Sequence, residues 1–188
     1  MTQTAARPPA PRPLWIFAYG SLMWQPDFPV AEARVARASG WHRSFCMWSI
    51  HHRGSPEAPG LVLALDRAAG GACDGLALRV APGAEDETLA MVRERELVSS
   101  AYLEITLPVD FHGGGGAETL AYVIDPAHAQ YTGALDPEEQ ARIIARSCGG
   151  RGRNCDYLWS TTAHLADLGI ADPDLDWLAA RVRALVAG

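Results

Sequence analysis

The segment Arg93-Glu94-Arg95-Glu96-Leu97-Val98 offers a carboxylate where acid–base work is possible. At about 100° per residue on a helical wheel, Glu96 falls between Leu89 and Val92 on a partly apolar face. Burial disfavours the charged form of a carboxylate, so its pKa rises and glutamate becomes a proton acceptor that works near neutrality. The same segment also reads as a solvated run of alternating charges, since Arg93 lies close to the same face. A second segment, Ala18-Tyr19-Gly20-Ser21-Leu22-Met23-Trp24, is an apolar run that breaks into Gly-Ser. Such a strand end exposes successive N–H groups able to hold a carboxylate or a developing oxyanion. An ordinary Gly-Ser turn is the other reading, and the pattern is not the G-x-S-x-G of a nucleophile elbow.

Other reactive groups are sparse. The six histidines lack metal-ligand spacing, and adjacent His51 and His52 point to opposite faces of a strand. The four cysteines, Cys46, Cys73, Cys148 and Cys155, contain no C-x-x-C pair. Neither a metal nor a cofactor is expected. Glycines 113–116 have no Gly-Lys behind them and read as a hairpin loop rather than a phosphate cradle.

Composition removes whole classes of chemistry. All sixteen fixed cations are arginines; without lysine, Schiff-base enzymes and P-loop nucleotidases are excluded. A net charge of −6 offers nucleic acid no broad basic face. No apolar run approaches the ~20 residues of a membrane span. Cysteines this few in 188 residues suit a reducing cytoplasm better than a disulfide scaffold. Residues 1–13, rich in Pro, Ala and Arg, read as a disordered tail and not a secretory signal; residues 14–188 read as one domain.

The elements that must position these groups follow from periodicity and punctuation. Strands are expected over 14–19, 40–50, 60–66, 73–80, 102–109 and 118–124. A helix with an acidic first turn is expected from Glu85 to about Val98. Asp136-Pro137 opens another that runs to about Ser147, Asn154 or Asp156 a third to about Gly169, and Asp172-Pro173 a fourth. Leu175, Leu178, Val182 and Leu185 give the last helix a packing face. Strands crowded early and helices late argue for an α+β fold.

Read in order, the motifs become specific. AYGSLMW at 18–24, GWHRSFC at 40–46, HRG then PG within 52–60, and RE at 95–96 with Tyr102 beyond it are followed by Tyr131-Thr132-Gly133, Pro137-Glu138-Glu139 and Gly152-Arg153-Asn154 with Tyr157-Leu158. Together they resemble the ChaC family of γ-glutamylcyclotransferases from about Leu14 to the C-terminus.

The resemblance implies a small closed mixed β-barrel with flanking helices. It implies a metal-free, cofactor-free enzyme whose partner is glutathione: the γ-glutamyl group is cyclised to 5-oxoproline and Cys-Gly is released. Glu96 matches the family's catalytic glutamate, acting as general base and then acid. Ala18, Tyr19, Gly20, Ser21, Leu22 and Met23 match its substrate-binding loop. Tyr131 matches a family tyrosine, read either as a pocket donor or as a core residue.

One departure stands out: Leu61 follows Pro59-Gly60 where many relatives carry arginine. Arg53 remains, as a bidentate partner for a substrate carboxylate or as a loop brace. Two alternatives therefore keep the fold: a cyclotransferase for another γ-glutamyl amide or amino acid, and a non-catalytic ligand-binding or transport-regulating protein. The oligomeric state is left open between monomer and homodimer.

Overall fold

The computed structural model describes residues 12–188; the first eleven residues of the expected tail lie outside the described residues. Five strands close a barrel: β1 (Trp15–Ala18), β2 (Val30–Ser49), β3 (Gly60–Val80), β4 (Tyr102–Phe111) and β5 (Gly116–Ile124), in the order β1-β3-β2-β4-β5. The β1–β5 pairing is parallel and the other barrel pairings are antiparallel, so the barrel is mixed. Helix α1 (Glu85–Glu96) is inserted between β3 and β4. Helices α2 (Pro137–Arg146), α3 (Asn154–Asp167) and α4 (Pro173–Ala187) follow the barrel, and a small hairpin of β6 (Cys148–Gly149) and β7 (Gly152–Arg153) joins α2 to α3. The α+β class and the closed barrel thus agree with the expectation from sequence. Among the described residues no helix is long and apolar enough to cross a membrane.

The unbroken apolar run of β1 has a structural reason. Phe17 and Tyr19 join a core cluster to which every barrel strand contributes, whereas Ile16 and Ala18 join the cluster shared with the C-terminal helices. A strand buried on both faces cannot alternate with polar residues.

The long strands differ from the sequence reading. β2 begins at Val30, ten residues before the expected start at 40. The expected strands at 60–66 and 73–80 are one 21-residue strand, β3. Between the pairs Ser39↔Ala72 and Trp41↔Arg67, residues 68–71 face only Gly40, and Gly70 takes φ +74° there. This bulge carries the Ala-Gly-rich stretch that looked like a break, and it lets a long strand bend around a small barrel.

Helix starts are set by local chemistry. Asp136 accepts N–H bonds from Glu138 (2.9 Å) and Glu139 (3.2 Å), with Pro137 in the first turn. Asp172 caps α4 by accepting from the Leu175 N–H at 3.2 Å. Leu175, Leu178 and Val182 bury one face of α4 against the core.

Candidate active site

Glu96 is the last residue of α1, and the run of alternating charges divides there. Arg93 turns outward to a bidentate pair with Glu104 on β4 (2.8 and 2.7 Å), while Val92 is fully buried. The Glu96 side chain is only 18% exposed, and its Oε1 lies 3.2 Å from Arg95 Nε. Desolvation holds its carboxyl above the ordinary glutamate value, with the charges of Arg95 and Arg151 pulling it part of the way back.

Glu96 stands where two cavities meet. An inner recess of about 50 Å³ is walled by Tyr19, Tyr102, Tyr122 and Tyr157 and floored by residues 20–22. An outer cavity of about 370 Å³ lies within the range of small-ligand sites, roughly 300–1,000 Å³. Ser21, Leu63, Glu96, Tyr102 and Tyr157 line both.

The recess is aromatic and its hydroxyls are largely engaged. Tyr19 donates to the Tyr122 carbonyl (2.7 Å), Tyr102 to the Leu63 carbonyl (2.9 Å) and Tyr122 to Glu104 (3.0 Å). Burial raises all four phenols, and the Glu96 charge adds to the rise. Raised in this way the phenols favour their neutral form, and the Glu96 carboxyl lines the recess beside them.

The 18–24 segment forms a 3-10 turn over Ser21–Met23. The Met23 N–H donates to the Gly20 carbonyl at 2.9 Å, whereas the N–H groups of Ser21 and Leu22 open the turn and have no acceptor within it. Arg95 ties this loop to α1: Nη2 donates to Ser21 Oγ (2.9 Å), and Nη1 donates to the Gln25 carbonyl and Asp27 Oδ2 (both 2.7 Å). From beneath, the buried Arg43 donates to the Tyr19 carbonyl (3.0 Å), the Asp74 carbonyl (2.6 Å) and Asp172 (2.7 Å).

One wall of the outer cavity comes from residues 50–53 and from Arg151 of the β6–β7 hairpin. Gly150 N–H donates to the His51 carbonyl and Arg151 N–H to the His52 carbonyl, each at 2.9 Å. A Cβ on Gly54 would meet Gly60 N at 2.1 Å, and one on Gly149 would meet Gly54 N at 2.5 Å. Backbone packing this close admits only glycine, which explains why HRG and PG occur together. Burial, and then the Arg151 charge, lower the His52 pKa. Among the described residues, no three His, Cys, Asp or Glu side chains group as metal ligands.

The family model for ChaC-like proteins matches residues 14–185. The chain belongs to this family. It is 33% identical over 187 residues to an Escherichia coli protein named glutathione-specific gamma-glutamylcyclotransferase, covering all of this chain and 80% of that one. It is 35% identical to the Danio rerio glutathione-specific gamma-glutamylcyclotransferase 1, covering 87% of this chain and 83% of that one. A crystal structure of a glutathione-specific γ-glutamyl cyclotransferase from yeast shares the fold, with a TM-score of 0.83 at 21% identity, over 92% of this chain and 96% of that one.

The ChaC-like motifs do not all converge. Glu96, Tyr19, Gly20, Ser21 and Leu22 line the recess. Ala18 and Met23 instead pack into the core. Arg53 lines the outer cavity but also braces it, its Nη1 donating to the carbonyls of Arg151 (2.6 Å) and Arg153 (3.2 Å). Tyr131 lines neither cavity; its hydroxyl donates to Asp66 at 2.6 Å.

Leu61, where many relatives carry arginine, packs inward. Its side chain is fully buried in the core, and its backbone N–H and carbonyl are clamped by the Asn154 amide at 2.7 Å each. Asn154 of the GRN motif is therefore structural. The neighbours Val62 and Leu63 line the outer cavity, while Leu61 does not. Arg95 and Arg151 are the groups the sequence reading missed. The RE and RGRN motifs contained them, but nothing in one dimension joins positions 21, 53, 95 and 151.

Proposed function

We propose that this ChaC-like protein is a γ-glutamylcyclotransferase that degrades glutathione to 5-oxoproline and Cys-Gly, with Glu96 carrying the proton. The observation that carries the reading is the placement of Glu96, a partly desolvated carboxylate between an aromatic recess and a larger cavity. The names of the Escherichia coli and Danio rerio relatives support the same substrate.

The γ-glutamyl end occupies the recess side and the Cys-Gly end the outer cavity. Glu96 takes a proton from the substrate α-ammonium, freeing the amine to attack its own γ-carbonyl. The tetrahedral intermediate collapses as the same carboxyl returns the proton to the departing cysteinyl nitrogen, and the second proton of the attacking amine passes, again through Glu96, to the released Cys-Gly amine, which leaves as an ammonium. A C–N bond forms and a C–N bond breaks, with no water consumed and no enzyme nucleophile. Because both reacting groups belong to one molecule, holding the folded rotamer supplies much of the rate; effective molarities of ~10⁵ M and above are typical of such reactions. The Ser21 and Leu22 N–H groups receive the glutamyl carboxylate or the oxyanion, and the tyrosine walls exclude water from the base.

The raised pKa of Glu96 matters because glutamate at about 4.3 is a poor base for an amine. The free cysteines suit a reducing compartment such as the cytoplasm. The leucine at 61 motivates the second reading, a cyclotransferase for another γ-glutamyl amide or amino acid, which keeps the same chemistry and differs in substrate preference.

Product analysis tests the reading. Incubation with glutathione is expected to yield 5-oxoproline and Cys-Gly by mass, at a rate above that with γ-glutamyl-alanine. Release of glutamate, or a preference for γ-glutamyl-alanine, overturns it. Glu96→Gln is expected to lose about 10²-fold or more in kcat; undiminished turnover overturns the role of Glu96.

A further inference from the structure

We infer that Arg151, at the tip of the β6–β7 hairpin, receives the C-terminal carboxylate of the substrate and makes this chain selective for a γ-glutamyl dipeptide with a free glycyl terminus. The inference rests on the proposed cyclotransferase reading and adds the group that holds the far end of the substrate.

Three arginines line the outer cavity: Arg53, Arg95 and Arg151. Arg95 is engaged with Ser21, Gln25, Asp27 and Glu96. Arg53 holds two hairpin carbonyls through Nη1, and its guanidinium lies 5.3 Å from the Tyr157 ring centre. Among the described residues neither Arg53 nor Arg151 is in an ion pair, and the Arg151 guanidinium, unlike that of Arg53, makes no hydrogen bond within the protein. The chain has 22 acidic residues against 16 arginines. A cation without a carboxylate in a concave wall of such a chain is poised for an anionic ligand.

Position and rigidity agree with this role. The Arg151 N–H donates to the His52 carbonyl at 2.9 Å, and its own carbonyl accepts from Arg53 Nη1 at 2.6 Å. The backbone is thereby fixed on both sides while the side chain stays available. Arg53 acts as a positioning residue for Arg151. From the scissile γ-carbonyl to the glycyl carboxylate the substrate spans two residues, at most about 7 Å extended. Arg151 and Glu96 line one cavity and the Arg151 charge is felt at Glu96, in keeping with a ligand that reaches both.

The test is binding to a slow background. Calorimetric titration of Glu96→Gln with glutathione and with its glycyl C-terminal amide is expected to show glutathione binding about tenfold tighter. In Glu96→Gln/Arg151→Gln that preference is expected to collapse towards one, with affinity for the amide unchanged, and Arg151→Lys is expected to restore part of it. An undiminished preference in Arg151→Gln overturns the assignment, whatever the turnover result. Binding with the expected preference but no turnover by the wild-type chain overturns the cyclotransferase reading and leaves the carboxylate site standing. Failure of glutathione to bind overturns both. The Arg151 contacts to the hairpin are made by its backbone, so the substitution leaves them in place.

Discussion

Arg95 Nε lies 3.2 Å from Glu96 Oε1, while the terminal nitrogens of the same guanidinium hold Ser21, Gln25 and Asp27. One cation thus restrains the pKa of the Glu96 carboxyl and fastens the 3-10 turn to the end of α1. Arg95→Met removes a charge that favours the ionised carboxylate, so the Glu96 pKa rises further. The acid limb of kcat/KM against pH is expected to move to higher pH, with activity at pH 7 down by about tenfold or more. Arg95→Lys is expected to recover much of the limb position but not the full rate, because a point charge cannot make the same fork of contacts. A profile that does not move in Arg95→Met counts against this coupling.

Glu96 is expected to cost stability at neutral pH. Its folded pKa is raised, chiefly by desolvation, so the folded chain binds the proton more tightly than the unfolded one. Stability therefore falls as pH rises between the two values and stays lowered above both. Glu96→Gln has no such proton, and its Tm is expected to exceed the wild-type Tm at pH 7. The difference is expected to shrink as pH falls and to vanish well below pH 4, where the wild-type side chain is neutral in both states. Melting curves across this range check the sign.

Gly20 keeps the recess open beside Tyr157. A Cβ there would sit 3.2 Å from the Tyr157 hydroxyl, in a recess of about 50 Å³. Gly20→Ala is expected to lower kcat/KM by about tenfold or more, on the scale that small misplacements cost in oriented reactions. The Tm should change by only a few degrees, and steady-state kinetics with a melting curve separate the two effects.

Asn154 is a stability residue beside the site. Asn154→Ala would leave the buried Leu61 N–H and carbonyl without the partners they now have at 2.7 Å each. The expected loss is roughly 2–4 kcal/mol, from two buried groups left unpaired. Denaturant titration measures it, and KM for glutathione in the folded fraction is expected to stay within about twofold.

Tyr131 provides a contrast. Its hydroxyl bonds Asp66 at 2.6 Å outside both cavities, which pushes its pKa up to about 12. Tyr131→Phe is expected to destabilise by about 1 kcal/mol while leaving kcat/KM within about twofold. A large loss of kcat/KM at unchanged Tm would return Tyr131 to the substrate.

Much of the architecture was legible in one dimension because its causes are local. Asp136-Pro137 and Asp172-Pro173 carry their helix starts in their own side chains, and the acidic turn at 85–87 marks the start of α1. The apolar run of β1 reports burial on both faces. What misled was the bend in β3: residues 66–73 resemble a break, yet the strand continues because β2 pairs on either side of the bulge. Pairing of that kind is set by the partner strand and leaves no mark on the sequence of the bend itself.

The candidate site divides in the same way. Sequence alone determined the residue types available for chemistry: no lysine, a glutamate at a helix end, a Gly-Ser turn after a buried strand, and motifs in the order of one family. Only the tertiary structure decided which of them meet. Folding placed Arg95 on Ser21 and Glu96, set Arg151 beside Arg53 across nearly a hundred residues (|i−j| = 98), and turned Leu61 and Tyr131 away from the cavities. The reason is physical: helical and strand periods fix which face a residue occupies, but closing a barrel brings remote faces together, and charge and desolvation act through space rather than along the chain.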